Sequence, residues 1–241
     1  MTEMTLVRPD YAIRQERYTL FRRFIRDVCL RSVLFPLFGK FTVEGLGHIP
    51  RQGGAMILYN HIHAADAAVI MGSIKHRFAI PMSKSENFKM PFFGLIMRYY
   101  GMYPVDQDSP DRSALNNTID LLNQGHVVLI APEGTRNKAL DRAKDGAAYA
   151  AIRAGALIIP AAIEGTPHIQ HNMKRLRKTP VLLRFGRPFR FRARGEISRR
   201  DLPPFTTEAM YQLAALLPEA RRGHYQNLDQ ATTDRIEFVE A

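Results

Sequence analysis

The chain has 241 residues, of which 46% are hydrophobic, and this is enough for one large domain with a buried core. Its single cysteine excludes an intramolecular disulfide and fits a reducing compartment. The 34 basic and 23 acidic residues give a net charge of +11, which favours anionic partners, but no zinc-finger spacing, aromatic RNA-binding signature or basic zipper is present, so no nucleic acid is expected.

Residues 1–38 predict a basic amphipathic helical segment packed on or beside the core. Apolar side chains recur near helical spacing between arginines, with Pro36 interrupting the run: Phe21, Phe24, Ile25, Val28 and Leu37 among Arg14, Arg17, Arg22, Arg23, Arg26 and Arg31. Such a helix lies on an anionic bilayer, or packs on the domain with its arginines in water. The N-terminus lacks an apolar stretch of secretory-signal length, so a cytoplasmic location is expected.

Residues 39–225 predict an α/β domain. Strands are expected at residues 55–59, 78–82, 102–105, 127–130, 157–162 and 181–185, and helices at residues 65–74, 112–124, 146–154 and 206–219. This alternation predicts a mixed, largely parallel sheet covered by helices. Residues 226–241 are expected to form a polar C-terminal tail. Residues 88–103 are rich in Phe, Met, Leu and Tyr, as in ordinary core, the wall of an acyl-chain tunnel or a bilayer contact.

Two polar blocks follow two of these predicted strands. Residues 60–66 read NHIHAAD after the strand at 55–59, and residues 132–136 read PEGTR after the strand at 127–130. Because open α/β sheets bind ligands at the carboxyl ends of their strands, both blocks are expected at one site.

The first block predicts an oriented base. Two residues five apart on one helix point about 140° away from each other, so His61 is expected in the turn and Asp66 in the first turn of the next helix. The Asp66 carboxylate then accepts a hydrogen bond from one imidazole nitrogen of His61 and leaves the other nitrogen as the base.

Covalent catalysis and metal binding are the alternatives for this block. Ser73, Ser83 and Ser85 lack the context of an activated nucleophile, and Cys29 lies far away in sequence. His61, His63 and Asp66 are possible metal ligands, but no later cluster with ligand spacing completes such a site, so no metal is expected. A base that activates the hydroxyl of the substrate itself is favoured.

The second block predicts an anion site. Glu133, Gly134, Thr135 and Arg136 combine a flexible glycine, a hydroxyl and a guanidinium that can bind a phosphate through two parallel hydrogen bonds.

The two blocks together resemble the 1-acylglycerol-3-phosphate (lysophosphatidic acid) acyltransferase family of glycerolipid acyltransferases, whose marks are NHx4D and PEGTR. The resemblance covers about residues 40–225 in the order of the family. It includes residues 43–50 (VEGLGHIP), 84–88 (KSENF), 91–94 (PFFG), 101–106 (GMYPVD), 144–148 (KDGAA) and 158–163 (IIPAAI).

The resemblance implies one direct acyl transfer in phospholipid biosynthesis. A fatty acyl group would pass from an acyl thioester to the free hydroxyl of 1-acylglycerol 3-phosphate and give phosphatidic acid, with His61 as general base and Asp66 as its orienting partner. Glu133 and Gly134 would shape the acceptor pocket, while Lys84, Thr135 and Arg136 would face its phosphate.

The resemblance also implies the partners. The co-substrate is acyl-CoA or an acyl-carrier-protein thioester, no further cofactor is required, and the acceptor is a lysophospholipid. The basic amphipathic segment and the net charge add an anionic membrane surface. The protein is therefore expected to be peripheral on the inner face of the cell membrane.

Three positions depart from the pattern of the family. Gln107 stands where an arginine is common, His63 replaces a frequent serine, and Ala131 replaces an aromatic residue. A neutral amide cannot supply the charge, so Lys84, Arg136 or Arg112 must do so, or the acceptor differs. The alternatives are therefore another acceptor (glycerol 3-phosphate, a lysophospholipid or an amino-acid lysolipid), or a non-catalytic protein that binds membranes or acyl carriers.

Overall fold

A computed structural model describes residues 14–107, 111–193 and 197–240. The strands are β1 (Gly39–Glu44), β2 (Ala55–Tyr59), β3 (Ala79–Lys84), β4 (Tyr103–Val105), β5 (Val127–Ile130), β6 (Leu157–Glu164), β7 (Thr179–Phe185), β8 (Phe189–Phe191) and β9 (Ile236–Phe238). The α-helices are α1 (Thr19–Arg23), α2 (Phe35–Phe38), α3 (Asp66–Ser73), α4 (Pro91–Tyr100), α5 (Arg112–Asn123), α6 (Gly146–Ala154), α7 (Ile169–Lys174) and α8 (Leu202–Ala214).

The strands form one mixed sheet in the order β1-β7-β6-β2-β5-β3-β4. The five strands from β6 to β4 are mutually parallel, and β7 pairs antiparallel with β6 and parallel with β1. The predicted fold class, a largely parallel sheet covered by helices, is confirmed. Because β2 and β5 are hydrogen-bonded neighbours, the residues after Tyr59 and after Ile130 leave the sheet side by side.

The alternation of side chains along the strands creates two cores. On β2, Met56 and Leu58 belong to a core that also contains buried residues of α5, α6 and α8. Ala55 and Ile57 belong to the opposite core, which contains buried residues of α3 and Leu30 from the N-terminal segment. A strand buried on both faces therefore reads as a continuous apolar run.

The N-terminal segment is helical, but its faces differ from the prediction. Arg22 and Arg26 are buried, whereas Leu20 is 80% exposed and Phe24 is 51% exposed. Residues Phe24–Leu34 form a π-helix, in which each turn closes from residue i to i+5, so faces assigned with the α-helical period are wrong. The expectation that these arginines lie in water is therefore incorrect for Arg22 and Arg26.

Arginines of this segment bind backbone carbonyls of the domain. Nε of Arg22 donates to the Tyr100 carbonyl oxygen at 2.7 Å, and Nη1 of Arg31 donates to the Gly72 carbonyl oxygen at 3.1 Å. Burial lowers the pKa of Arg22 to about 10. These contacts attach the N-terminal segment to α3 and α4, while Leu20 and Phe24 stay exposed and Leu30 is buried in the core.

Two further segments differ from the sequence-based expectation. Residues 226–241 were expected to be a polar tail, but β9 within them pairs antiparallel with β8, and Ile236 is buried in the core. In α4, Phe92 and Phe93 are exposed, so the reading of this segment as ordinary core is wrong for them, although Tyr100 and Tyr103 are fully buried.

Candidate active site

The first polar block places a histidine and a carboxylate in contact at the carboxyl end of β2. His61 lies in the turn after the strand, and Asp66 is the first residue of α3. Nδ1 of His61 lies 2.9 Å from Oδ2 of Asp66. Because His61 lies in the turn and not in the helix, its side chain can reach Asp66, as the spacing of the two residues predicted.

Asp66 is fully buried and accepts four hydrogen bonds. Besides His61, its Oδ2 accepts from the backbone N–H groups of Ile62 and His63, each at 2.7 Å. Its Oδ1 accepts from the Thr166 hydroxyl at 2.5 Å. Because a buried carboxylate is stable only when it is satisfied, these donors fix both the carboxylate and the turn that carries His61.

The imidazole of His61 is held by the carboxylate through one of its two ring nitrogens. With a carboxylate at Nδ1, the proton of the neutral ring lies on Nδ1, and the lone pair is on Nε2. His61 also lines the main cavity, and the Tyr59 ring packs edge-on against it with 5.5 Å between centroids. Burial raises the pKa of the Tyr59 phenol, so this neighbour stays neutral.

The second block lies in the loop after β5, and the side chain of Glu133 holds that loop through hydrogen bonds. Its Oε2 accepts from Nδ2 of Asn137 and from the backbone N–H of Asp141, each at 2.8 Å. Burial raises the pKa of Glu133, and this effect is larger than that of the two hydrogen bonds, which lower the pKa. Glu133 is only 6% exposed and lies outside the set of described residues that line the cavity.

The two blocks are joined directly through the backbone. The N–H of Asn137 donates to the carbonyl oxygen of His61 at 2.9 Å. At the other side of the turn, the Asn60 side chain exchanges two hydrogen bonds with the backbone of Ile163, at 2.7 and 3.0 Å. The turn that holds His61 is therefore braced by the strands on both sides of β2.

One cavity of about 1030 Å³ spans the carboxyl ends of β2, β5, β3 and β4. His61 lines it together with four of the predicted binding residues: Lys84, Gly134, Thr135 and Arg136. Nζ of Lys84 lies 3.7 Å from a carboxylate oxygen of Glu86. His61 and the two cations Lys84 and Arg136 thus line the same space, which suits an anionic substrate with a hydroxyl.

Further basic side chains line the cavity. Arg112 at the start of α5, Lys144 just before α6 and Arg199 just before α8 line it, as does Gln107. Across the described ranges, no group of three or more His, Cys, Asp and Glu side chains is arranged to hold a metal ion.

Sequence reasoning missed the role of three residues around the pair. Thr166 follows β6, a hundred positions from Asp66, and no local pattern marks it. Asn60 and Asn137 lie within or beside the two blocks, but an amide at the end of a strand does not reveal which backbone group it will bind. His63 lies in the same turn, where its Nδ1 accepts from the backbone N–H of Ala65 at 3.3 Å.

A family model described as Acyltransferase matches residues 40–164, just over half of the chain. The chain belongs to the acyltransferase family. The match includes all seven of the site residues predicted from sequence, whereas Thr166 lies two positions beyond it.

Several curated relatives of this family member carry the name 1-acyl-sn-glycerol-3-phosphate acyltransferase. The Bacillus subtilis protein is 29% identical over 56% of this chain and 67% of its own length, and the Haemophilus influenzae protein is 28% identical over 77% and 79%. The match with the Borreliella burgdorferi protein spans only 56% of that relative.

A solved structure shares the fold. The crystal structure of the 1-acyl-sn-glycerophosphate (LPA) acyltransferase from Thermotoga maritima superposes with a TM-score of 0.58 over 81% of this chain and 79% of that chain, at 24% identity. The mixed sheet with helices on both faces is therefore the architecture of a known acyltransferase.

Proposed function

We propose that the protein transfers a fatty acyl group from an acyl thioester to the free hydroxyl of 1-acylglycerol 3-phosphate and so makes phosphatidic acid. The observation that carries the proposal is the contact of the buried Asp66 with Nδ1 of His61, which leaves Nε2 available. His61 and Arg136 line the same cavity. The names of the curated relatives support the same reaction.

The reaction is a single displacement. Nε2 of His61 removes the proton of the acceptor hydroxyl as that oxygen attacks the thioester carbonyl carbon, and Asp66 stabilises the imidazolium that forms. The new carbon–oxygen bond forms, the carbon–sulfur bond breaks, and the imidazolium returns the proton to the departing thiolate. The enzyme forms no covalent intermediate, and the residues require no cofactor beyond the acyl-CoA or acyl-carrier-protein donor.

Lys84, Thr135 and Arg136 bind the phosphate of the acceptor. Arg136 supplies a guanidinium whose parallel N–H groups fit two phosphate oxygens, and the Thr135 hydroxyl donates one more hydrogen bond. Gly134 has a φ of 72°, a conformation that side chains with a Cβ rarely adopt, and this turn sets the direction in which Thr135 and Arg136 leave the loop. Glu133 contributes by holding the loop in place.

An exposed apolar helix face attaches the protein to an anionic membrane. We define this face by Leu20, Phe24, Val28 and Leu37 of the N-terminal segment with Phe92, Phe93, Leu95 and Tyr99 of α4, each at least 47% exposed. The rings of Phe21 and Tyr99, 5.9 Å apart, join the two helices. No helix within the described ranges is both long and apolar enough to cross a bilayer.

The charge around this face supports a peripheral position on the inner face of the cell membrane, in contact with the cytoplasm. The same two segments and the turn before α4 expose basic side chains: Arg14, Arg17, Arg23, Lys89 and Arg98. Apolar burial combined with attraction to anionic lipids is how interfacial helices bind.

A panel of acceptors tests the reaction. Thiol release from a long-chain acyl-CoA is measured on mixed vesicles with 1-acylglycerol 3-phosphate, glycerol 3-phosphate or 1-acylglycerophosphocholine. Release that only the first acceptor stimulates supports the proposal. Stimulation by another acceptor alone would keep the chemistry and replace the substrate, for which Gln107 in the cavity is the structural reason. Absence of release with acyl-CoA and with an acyl-carrier-protein donor would favour the non-catalytic alternative.

A further inference from the structure

The side chain of Lys144 lies between two of the loops that form the cavity. Its Nζ donates to the carbonyl oxygen of Gln107 in the loop after β4, at 2.9 Å. A Cβ placed on Gly134 in the loop after β5 would lie 3.5 Å from the same Nζ. The backbone N–H of Lys144 donates to the Pro132 carbonyl oxygen at 2.9 Å, which fixes the lysine beside the loop that carries Arg136.

Its positive charge is not cancelled by the carboxylates around it. Asp145 accepts from the Thr206 hydroxyl at 2.6 Å. Asp111 accepts from the backbone N–H groups of Ala114 and Asp106, each at 2.9 Å. In the part of the chain that the structure describes, Lys144 forms no ion pair with Asp or Glu, so its charge is available to a ligand.

The ammonium also keeps donors for a ligand. It has three N–H groups, of which the Gln107 carbonyl takes one. The side chain of Lys144 itself packs over Gly134, where a Cβ would lie 3.4 Å from Cε and 3.5 Å from Nζ. Arg136 and Lys144 line the same cavity, so one anion in that cavity can meet both cations.

We infer that Lys144 is a specificity-determining residue that binds the acceptor phosphate together with Arg136. The inference rests on the proposed function. A phosphate monoester carries close to two negative charges at neutral pH, and two cations from separate loops match it better than one. Lys144 then favours acceptors with a phosphate monoester over neutral ones such as a monoacylglycerol, which offers the same hydroxyl to His61.

Lys144 has two alternative roles. It could bind the diphosphate of an acyl-CoA donor, or it could serve only to tie two loops together. The three roles differ in what they change. A phosphate ligand of the acceptor alters KM for that acceptor, a donor ligand alters KM for acyl-CoA, and a tether alters the melting temperature and the activity on every acceptor together.

The experiment compares Lys144→Ala with the wild-type enzyme under steady-state conditions, varying each substrate in turn. KM for 1-acylglycerol 3-phosphate is expected to rise about tenfold or more, the usual effect of losing one charged hydrogen bond, while KM for acyl-CoA and the turnover of monoacylglycerol stay within about twofold. The matched control is Lys138→Ala, since Lys138 lies in the same loop but outside the described cavity lining.

A second variant moves the positive charge from position 144 to position 107. Residue 107 lies beside the ammonium, so Lys144→Ala combined with Gln107→Arg is expected to recover most of the acceptor affinity, and Lys144→Arg to keep it. An unchanged acceptor KM in a folded Lys144→Ala variant overturns the inference, as does a rise confined to acyl-CoA. If the wild-type enzyme itself makes no phosphatidic acid, the proposed function fails first and the inference fails with it.

Discussion

The hydroxyl of Thr166 donates to Oδ1 of Asp66 at 2.5 Å, although the two residues are 100 positions apart in the chain. The other carboxylate oxygen takes the imidazole of His61 and two backbone N–H groups. Thr166 follows β6, and Asn137 in the loop after β5 donates its backbone N–H to the His61 carbonyl oxygen, so the proposed base is held by the segments that follow both neighbours of β2.

Thr166→Val tests whether this contact positions the base. The variant keeps the shape of the side chain but leaves one oxygen of a buried carboxylate without its donor, which costs about 1–3 kcal/mol. We expect a lower melting temperature and a kcat reduced about tenfold, while KM for both substrates changes little. Thr166→Ser keeps the hydroxyl, so kcat is expected to recover in that variant. Thr179→Val is the control, because Thr179 is equally buried and hydrogen-bonded away from the cavity. Equal loss of stability in both variants with no specific loss of kcat would refute the positioning role.

Glu133→Gln tests how the burial of Glu133 in the loop after β5 changes the pH dependence of protein stability. Because burial raises the pKa of Glu133 above its ordinary value in the unfolded chain, the folded protein holds this proton more tightly. The resulting stabilisation is present below the ordinary pKa of about 4.3 and is lost as the pH rises through the raised pKa.

The measurement is urea unfolding of both proteins across a pH series. The free energy of unfolding of the wild-type protein, taken relative to Glu133→Gln, is expected to fall as the pH rises through that range. A relative stability that stays constant or increases with pH would show that the hydrogen bonds from Asn137 and Asp141 outweigh burial.

Phe24→Gln combined with Phe92→Gln tests the exposed apolar helix face. Both rings are more than half exposed, and burying an aromatic side chain contributes about 1.5–3 kcal/mol. Co-sedimentation with anionic vesicles is expected to weaken about tenfold or more, while activity on acceptor dispersed in detergent is kept. Leu176→Gln is the control, since Leu176 is 95% exposed but lies outside this face. Unchanged vesicle binding of the double variant would exclude the face as the membrane contact.

The sequence predicted β2, β5 and α6 with the bounds that the structure has. The short apolar run of β2 ends before Asn60, that of β5 ends shortly before Pro132, and α6 ends where Gly155 adopts a left-handed conformation. In α8 the start was predicted late, at residue 206 instead of Leu202. Two prolines follow Leu202, and proline is tolerated in the first turn of a helix, where its missing N–H would have no partner.

Long-range pairing and unusual helical geometry account for what the sequence did not predict. β9 has three residues, and only its partner β8, more than forty positions earlier, makes it a strand. The faces of residues 24–34 follow the π-helical turn, which no α-helical pattern reveals. In the site, the contact of His61 with Asp66 follows from local spacing, whereas the support from Thr166 depends on the order of the strands.

The most direct test of the central claim is phosphatidic acid formation from labelled acyl-CoA and 1-acylglycerol 3-phosphate, measured for the wild-type enzyme and for His61→Ala on the same vesicles. The account predicts that turnover falls about 10²–10⁴-fold, because the variant lacks the general base, while vesicle binding is nearly unchanged and the variant stays folded at a lower melting temperature, because Asp66 loses one of its four donors. Turnover in a folded His61→Ala variant that stays within a few-fold of the wild-type value would contradict the assignment of His61 as the base.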